Sequence, residues 1–105
     1  MRKIIWSPEA EFDYDENIAF LLKEWTEKEA QEFIDKVAEL LLILERGNTN
    51  FKALGYKNLY AVPVCYQITL IYRKASKNEI EIVRLWNTFQ DPKKLNKLLN
   101  EYLSK

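Results

Sequence analysis

The sequence predicts a small α+β domain, an antiparallel sheet covered on one face by a helical hairpin, in the order strand, helix, helix, strand, strand, strand, terminal helix. Three observations carry this. Residues 56–87 hold the densest run of β-branched and aromatic residues, and there Tyr66, Ile68, Leu70 and Tyr72 alternate with Gln67, Thr69, Ile71 and Arg73. That period of two belongs to strands. Residues 8–46 instead repeat their apolar positions every three or four residues, the helical period. Between the helical and extended stretches lie both glycines, Gly47 and Gly55. At 105 residues the chain is one domain, 1–105.

Taken in order, Arg2–Trp6 is a short apolar strand that joins the main sheet. Ser7-Pro8-Glu9 starts a helix, with serine at the N-cap, proline at the first helical position and acids in the first turn. Ala10, Tyr14, Ile18, Leu21, Leu22 and Trp25 form its apolar stripe; Glu9, Glu11, Asp13, Asp15 and Glu16 fall largely in the solvent sector. Thr26 and Glu29 make a capping box for a second helix. Its stripe is Ala30, Phe33, Ile34, Val37, Ala38, Leu41 and Leu44, widened by Leu40, Leu42 and Ile43 so that more than one side is contacted. Arg46-Gly47-Asn48 ends it. With almost no linker at Trp25-Thr26, the two helices fold back on each other.

Residues 48–57 read as a loop anchored by Phe51 and Leu54. Pro63, which has no amide proton, marks a break or an edge between strands at Leu59–Val62 and Val64–Arg73. Ala75-Ser76-Lys77-Asn78 turns the chain into a last strand, Glu79–Trp86. Asp91-Pro92 then caps a terminal helix with the stripe Leu95, Leu98, Leu99, Tyr102 and Leu103, which either packs on the domain or meets another chain.

Composition excludes several classes. No apolar run approaches the roughly 20 residues of a membrane-spanning helix, and no signal peptide follows Met1-Arg2-Lys3. The single cysteine, Cys65, allows no internal disulfide and fits a reducing compartment. There is no histidine, the commonest near-neutral base and metal ligand. No phosphate loop, zinc spacing or cofactor motif occurs, so neither a metal nor a cofactor is expected. Net charge is zero but divided: residues 8–46 hold 12 acids and 4 bases, leaving 4 acids and 12 bases elsewhere. Such asymmetry suits an acidic or nucleic-acid partner for the basic part, or two solvated surfaces that attract one another.

The chemistry-bearing candidates are basic and aromatic: Lys57, Tyr60, Tyr66, Tyr72, Arg73, Arg84, Trp86 and Asn87. Brought together on a sheet, the arginines would polarise a phosphate and a tyrosine would stack on a base. Without histidine, RNA cleavage needs another proton carrier, a lysine or tyrosine of shifted pKa. The alternative keeps Tyr66, Tyr72 and Trp86 in the core, with Arg73 and Arg84 capping the sheet or pairing with Glu79 and Glu81. Cys65, with no basic neighbour in sequence, reads as an inert buried thiol.

The opening IIWSPEAEFDYDENIAFL, the second helix WTEKEAQEFIDKV, and above all LIYR, EIEIVRLW and QDPKKL in that order resemble the ParE/RelE superfamily of toxins from type II toxin–antitoxin pairs. The resemblance spans nearly the whole chain. It implies a ParE/RelE-like fold and a cytoplasmic toxin neutralised by a cognate antitoxin, with operator DNA met only through that antitoxin. ParE-like members inhibit DNA gyrase; RelE-like members cut mRNA on the ribosome. Arg73 and Arg84 match positions where basic residues are common in the superfamily. Asn87 stands where several mRNA-cutting members have histidine, Thr69 where many have arginine, and Phe89 departs from the usual Arg-Gln-Asn/Asp-Pro. The resemblance therefore implies first a ParE-like gyrase inhibitor, second a RelE-like endoribonuclease acting with ribosome and mRNA, and third a non-toxic antitoxin-binding or corepressor module. It leaves catalytic residues unknown, with Arg73, Arg84, Lys57, Tyr60 and Asn87 as candidates.

Overall fold

The computed structural model describes residues 2–47, 51–55, 58–65 and 67–87, together with Lys97 and Asn100. The elements are β1 (Lys3–Trp6), α1 (Pro8–Glu24), α2 (Glu27–Arg46), β2 (Lys52–Ala53), β3 (Leu59–Cys65), β4 (Ile68–Ser76) and β5 (Glu79–Asn87). Lys97 and Asn100 are helical; the rest of the expected terminal helix, including Leu95, Leu98, Leu99, Tyr102 and Leu103, lies outside the described residues.

The helix boundaries follow from local chemistry. Ser7 is extended (φ −71°, ψ 154°), and its hydroxyl accepts the Ala10 N–H at 3.0 Å. Thr26 Oγ1 accepts the Glu29 N–H at 3.2 Å, the forward half of the expected capping box. Gly47 closes α2 in the left-handed region (φ 72°), its N–H donating to Ile43 O. A Cβ there would lie 2.8 Å from Arg2 Nε, the far end of a flexible side chain that can move aside, so the left-handed backbone is what favours glycine.

The sheet has the order β1-β5-β4-β3-β2. It is mixed, where a wholly antiparallel sheet was expected: β1 pairs parallel to β5, from Lys3 beside Glu79 to Trp6 beside Ile82. The cause is the path of the chain. α1 continues the direction of β1 along β5, since Ser7 meets Val83 and Asn17 meets Leu85. α2 returns to the start of β1, where the Arg2 N–H donates to Glu45 O. With the later hairpins this makes an even number of reversals, so the first and last strands point the same way. β2 is a two-residue strand inside the expected loop. Pro63 does not break the chain's extension: β3 runs through it, and the reversal falls between Cys65 and Ile68. β2 pairs only with Tyr60 and Ala61, so at Pro63 the absent N–H deprives no described strand of a bond.

The main core lies between the helices and one sheet face. Phe33, Val37, Leu40 and Leu44 of α2 and Leu21 of α1 pack on Ile68, Leu70, Tyr72, Ile80, Ile82 and Leu85, each 2% exposed or less. Of the residues expected to widen the α2 stripe, Leu40 is buried and Ile43 packs against the core, whereas Leu42 is 53% exposed. The opposite face holds a smaller cluster of Leu59, Ile71, Val83 and Trp86, flanked among the described residues by Leu54 and Ala61.

Candidate functional site

The described basic and aromatic candidates fall into two neighbouring groups along the sheet. The first surrounds the end of β5. Beyond Trp6 the parallel partner strand stops, and the outer backbone groups of β5 would face a gap. Side chains of the chain's first turn and helix fill it. The Ser7 N–H donates to Ile82 O at 3.0 Å and the Ser7 hydroxyl to Val83 O at 2.9 Å. Asp13 Oδ2 accepts the Leu85 N–H at 3.1 Å, and Asn17 Nδ2 donates to Leu85 O at 3.0 Å. Asp13 and Asn17, one helical turn apart, thus act as a surrogate strand, which closes an edge that would otherwise pair with other chains.

Opposite them the β4–β5 register shifts, from Ile71 beside Arg84 to Tyr72 beside Ile82. The extra residue, Val83, is the bulge. It sends Val83 to the second face while keeping Leu85 in the main core. Arg84 meets α1 as a fork: Nε to Asp13 Oδ2 at 2.7 Å and Nη2 to Asp13 Oδ1 at 2.9 Å. The two side chains are only 15% and 10% exposed. The guanidinium carbon also sits 5.5 Å from the centre of the Trp86 ring. Its charge is therefore compensated and its most directional donors are used. Asn87 ends the strand beside Ile68.

The second group lies toward the β4–β5 turn. Arg73 crosses to Glu81, its register partner, with Nε 3.1 Å and Nη2 2.9 Å from Oε1. Its neighbour Tyr72 points into the helix-side core, so Arg73 lies on the other face; Arg84, between Leu85 of the main core and its register partner Ile71 of the second cluster, lies on that face too and reaches Asp13 round the edge of β5. Tyr60 stacks on Tyr72 with ring centres 5.3 Å apart and 14° between planes, and Lys74 Nζ lies 4.7 Å from the Tyr60 ring centre. Phe51 closes on Tyr72 edge-on at 6.3 Å. Burial raises the Tyr72 phenol above its ordinary pKa of 10.0, opposed in part by the Phe51 backbone. Tyr72 and Trp86 are thus core residues, while Lys57 and Tyr66 lie outside the described residues. Of the described candidates, Tyr60 lies on the helix-side face with Tyr72, whereas Arg73 and Arg84 share the opposite face on adjacent strands, each on its own carboxylate. Among the described residues no group of His, Cys, Asp and Glu could hold a metal ion.

Sequence reasoning missed Asp13 and Asn17, placing the former in solvent. The signal was present. Ala10, Asp13, Asn17 and Leu21 are spaced three, four and four apart, and these four are the buried positions of α1. The more apolar stripe is rotated from them, which leaves Leu22 and Trp25 each 50% exposed.

A mixed five-stranded sheet, one face under a helical hairpin and its first strand inserted beside the last, defines the compact α+β fold of the ParE/RelE toxins. Comparison with solved structures agrees. A chromosomal ParDE system from P. aeruginosa superposes with a TM-score of 0.66 at 14% identity, covering 83% of this chain and 96% of that one. A YoeB/ParE toxin from Agrobacterium tumefaciens gives 0.59 at 15%, covering 81% and 96%. A heterotetrameric YoeB–YefM toxin–antitoxin complex from Staphylococcus aureus gives 0.53 at 22%, covering 82% and 95%. No curated protein matches in sequence. The model of the ParE toxin of the type II toxin–antitoxin system parDE matches residues 4–92, and the chain belongs to that family.

Proposed function

We propose that this toxin is held by a cognate antitoxin and acts on its target by binding rather than by cleaving RNA, with DNA gyrase or a related topoisomerase as the target class. The observation that carries the reading is the Asp13–Arg84 fork. Cleaving a phosphodiester needs a proton carrier at the attacking hydroxyl and a cation free to meet the developing charge. The chain has no histidine. Arg84 would have to abandon a buried carboxylate to serve, and Arg73 would have to abandon Glu81. Zero net charge also suits poorly a protein that must enter ribosomal RNA.

An antitoxin partner is supported by the YoeB–YefM complexes among the structural neighbours. In this reading the stripe Leu95, Leu98, Leu99, Tyr102 and Leu103 contributes to antitoxin contact. Charged substitutions at Leu99 and Tyr102 then weaken the complex; unchanged affinity removes the stripe from the interface. Target class is tested by gyrase supercoiling with purified toxin, which should fall at stoichiometric excess. Unaltered supercoiling, with primer extension showing cuts in the A-site codon of translated mRNA, would replace this reading with ribosome-dependent cleavage.

A further inference from the structure

Between the end of β1 and the first turns of α1 lies a pocket of about 340 Å³, lined by Trp6, Glu11, Tyr14 and Asp15. Its aromatic walls are the rings of Trp6 and Tyr14, with centres 5.4 Å apart and planes at 73°. The corner they form is fixed from behind. Tyr14 rests on Phe33 with ring centres 5.6 Å apart, and Phe33 is 1% exposed. Trp6 is held by its strand, beside Ile82 of β5. Both rings are only partly buried against the main core, so part of each surface is left to the pocket. Such electron-rich rings attract cations, tryptophan most of all.

The other two lining residues carry charge. Glu11 and Asp15 are exposed and stand one helical turn apart on α1. Like charges at that spacing repel each other. Among the described residues neither carboxylate has an ion pair. α1 has a single base, Lys23, about 12 Å beyond Asp15 along the helix. That exceeds the screening length of about 8 Å at physiological salt. The Tyr14 phenol is raised above 10.0 by burial and then by the charge of Asp15. This wall is therefore neutral at physiological pH, and the field of Asp15 reaches it.

We propose that this pocket binds an organic cation, an alkyl guanidinium or alkylammonium, whose stem lies against Trp6 and Tyr14 and whose head meets Glu11 and Asp15. The two kinds of lining set the class together. A metal ion needs more ligands than two carboxylates, and among the described residues no group could hold one. A neutral apolar molecule would leave the carboxylates repelling each other. A cation on a carbon stem relieves that repulsion and uses the ring surfaces as well, and guanidinium, being weakly hydrated, gives up water most readily. Such a head group comes from a protein side chain or from a free polyamine. The pocket shares no residue with the Asp13–Arg84 and Arg73–Glu81 pairs, so the proposal is independent of the antitoxin and target readings.

The test is titration of the full chain followed by NMR through the indole N–H signals of its three tryptophans. Nα-acetyl-arginine amide should move the Trp6 signal, and not those of Trp25 and Trp86, with a dissociation constant of about 1 mM. Its uncharged counterpart, Nα-acetyl-citrulline amide, should not bind. Glu11→Gln/Asp15→Asn should weaken binding about 10-fold. Glu24→Gln/Glu27→Gln, an equal change of charge at exposed positions outside the pocket, should leave it within about 2-fold. Trp6→Leu, which keeps apolar bulk, should weaken it about 5-fold. Circular dichroism and melting temperature check its fold, and if Trp6→Leu does not fold the two acid pairs decide alone. Spermidine separates the sources. Binding tighter than that of the arginine amide, with the same dependence on Glu11 and Asp15, assigns the pocket to free polyamines; weaker binding assigns it to a protein side chain. The proposal is overturned if the citrulline compound moves Trp6 as strongly, if both acid pairs weaken binding alike, or if neither cation at about 20 mM moves Trp6.

Discussion

Replacing Asp13 by alanine should be among the most damaging single changes on the α1 side of the molecule. Three bonds are lost together: those from Arg84 Nε and Nη2 at 2.7 and 2.9 Å, and that from the Leu85 N–H at 3.1 Å. What remains is a guanidinium only 15% exposed with no carboxylate, and an orphaned amide on a central strand. Breaking a buried pair by removing one partner costs about 3–5 kcal/mol, of which the amide accounts for roughly 1–3 kcal/mol. Against a total stability of about 5–15 kcal/mol, that is a large share. The melting temperature should fall by at least about 12 °C, taking about 4 °C per kcal/mol as the lower bound for a domain of this size. Asp13→Asn, which can still accept from Leu85, should lose less, about 1.5–3 kcal/mol. The decisive comparison is Asp13→Ala/Arg84→Met. Removing the stranded charge should recover stability relative to Asp13→Ala alone, because the remaining deficit is mainly the amide. Urea denaturation of the four corners of this cycle measures the coupling. A loss below about 1 kcal/mol for Asp13→Ala, or no recovery in the double variant, would refute the surrogate-strand account.

Four other outcomes follow from the same structure. Asn17→Ala should cost about 1–2 kcal/mol in urea denaturation, because Leu85 O loses its donor. Arg73→Ala should cost less than about 1 kcal/mol, since the Arg73–Glu81 pair is 38% and 18% exposed and screened by solvent. Gly47→Ala should cost about 1–2 kcal/mol for its left-handed backbone, plus a steric part that Arg2→Ala relieves; the double variant read by thermal melting separates the two. Tyr14 and Tyr72 both have phenols raised above 10.0 by burial. Their contribution is complete below that pH and lost as pH rises through the folded values, so the urea midpoint should decline in alkali, and Tyr72→Phe should flatten that decline.

The features legible in the sequence were those written in local chemistry. Ser7-Pro8, Thr26 and Gly47 act on their immediate neighbours, so their cap roles could be read without the fold. The main-core face of β4 was likewise read from alternation alone, since Ile68, Leu70 and Tyr72 are all buried. What escaped depended on partners distant in sequence. Asp13 and Asn17 look like solvent residues until β5, some seventy positions on, supplies the backbone groups they satisfy. Their burial rotates α1 about its axis, which is why the apolar Leu22 and Trp25 face outward. β2 has only Lys52 and Ala53, both exposed, and exists because β3 lies beside it. The reversal after Cys65 carries neither glycine nor proline and interrupts no alternation. For the candidate site, the residue types were readable but the Asp13–Arg84 pairing was not, because it joins positions 71 apart in sequence.

The position of β5 has a consequence for synthesis. β1 and the polar side chains of α1 have no docking place until the segment ending at Asn87 emerges, because their partners are all on that strand. Until then the apolar stripe of the helical hairpin also lacks Ile80, Ile82 and Leu85. Such non-local closure is slow, and it waits for β5 to be made. A nascent chain stopped before β5 has no half-built toxin fold to fall back on. Completion of the fold is thereby coupled to synthesis of β5, so a chain stopped before Glu79 is left with an uncovered apolar stripe that proteases can reach.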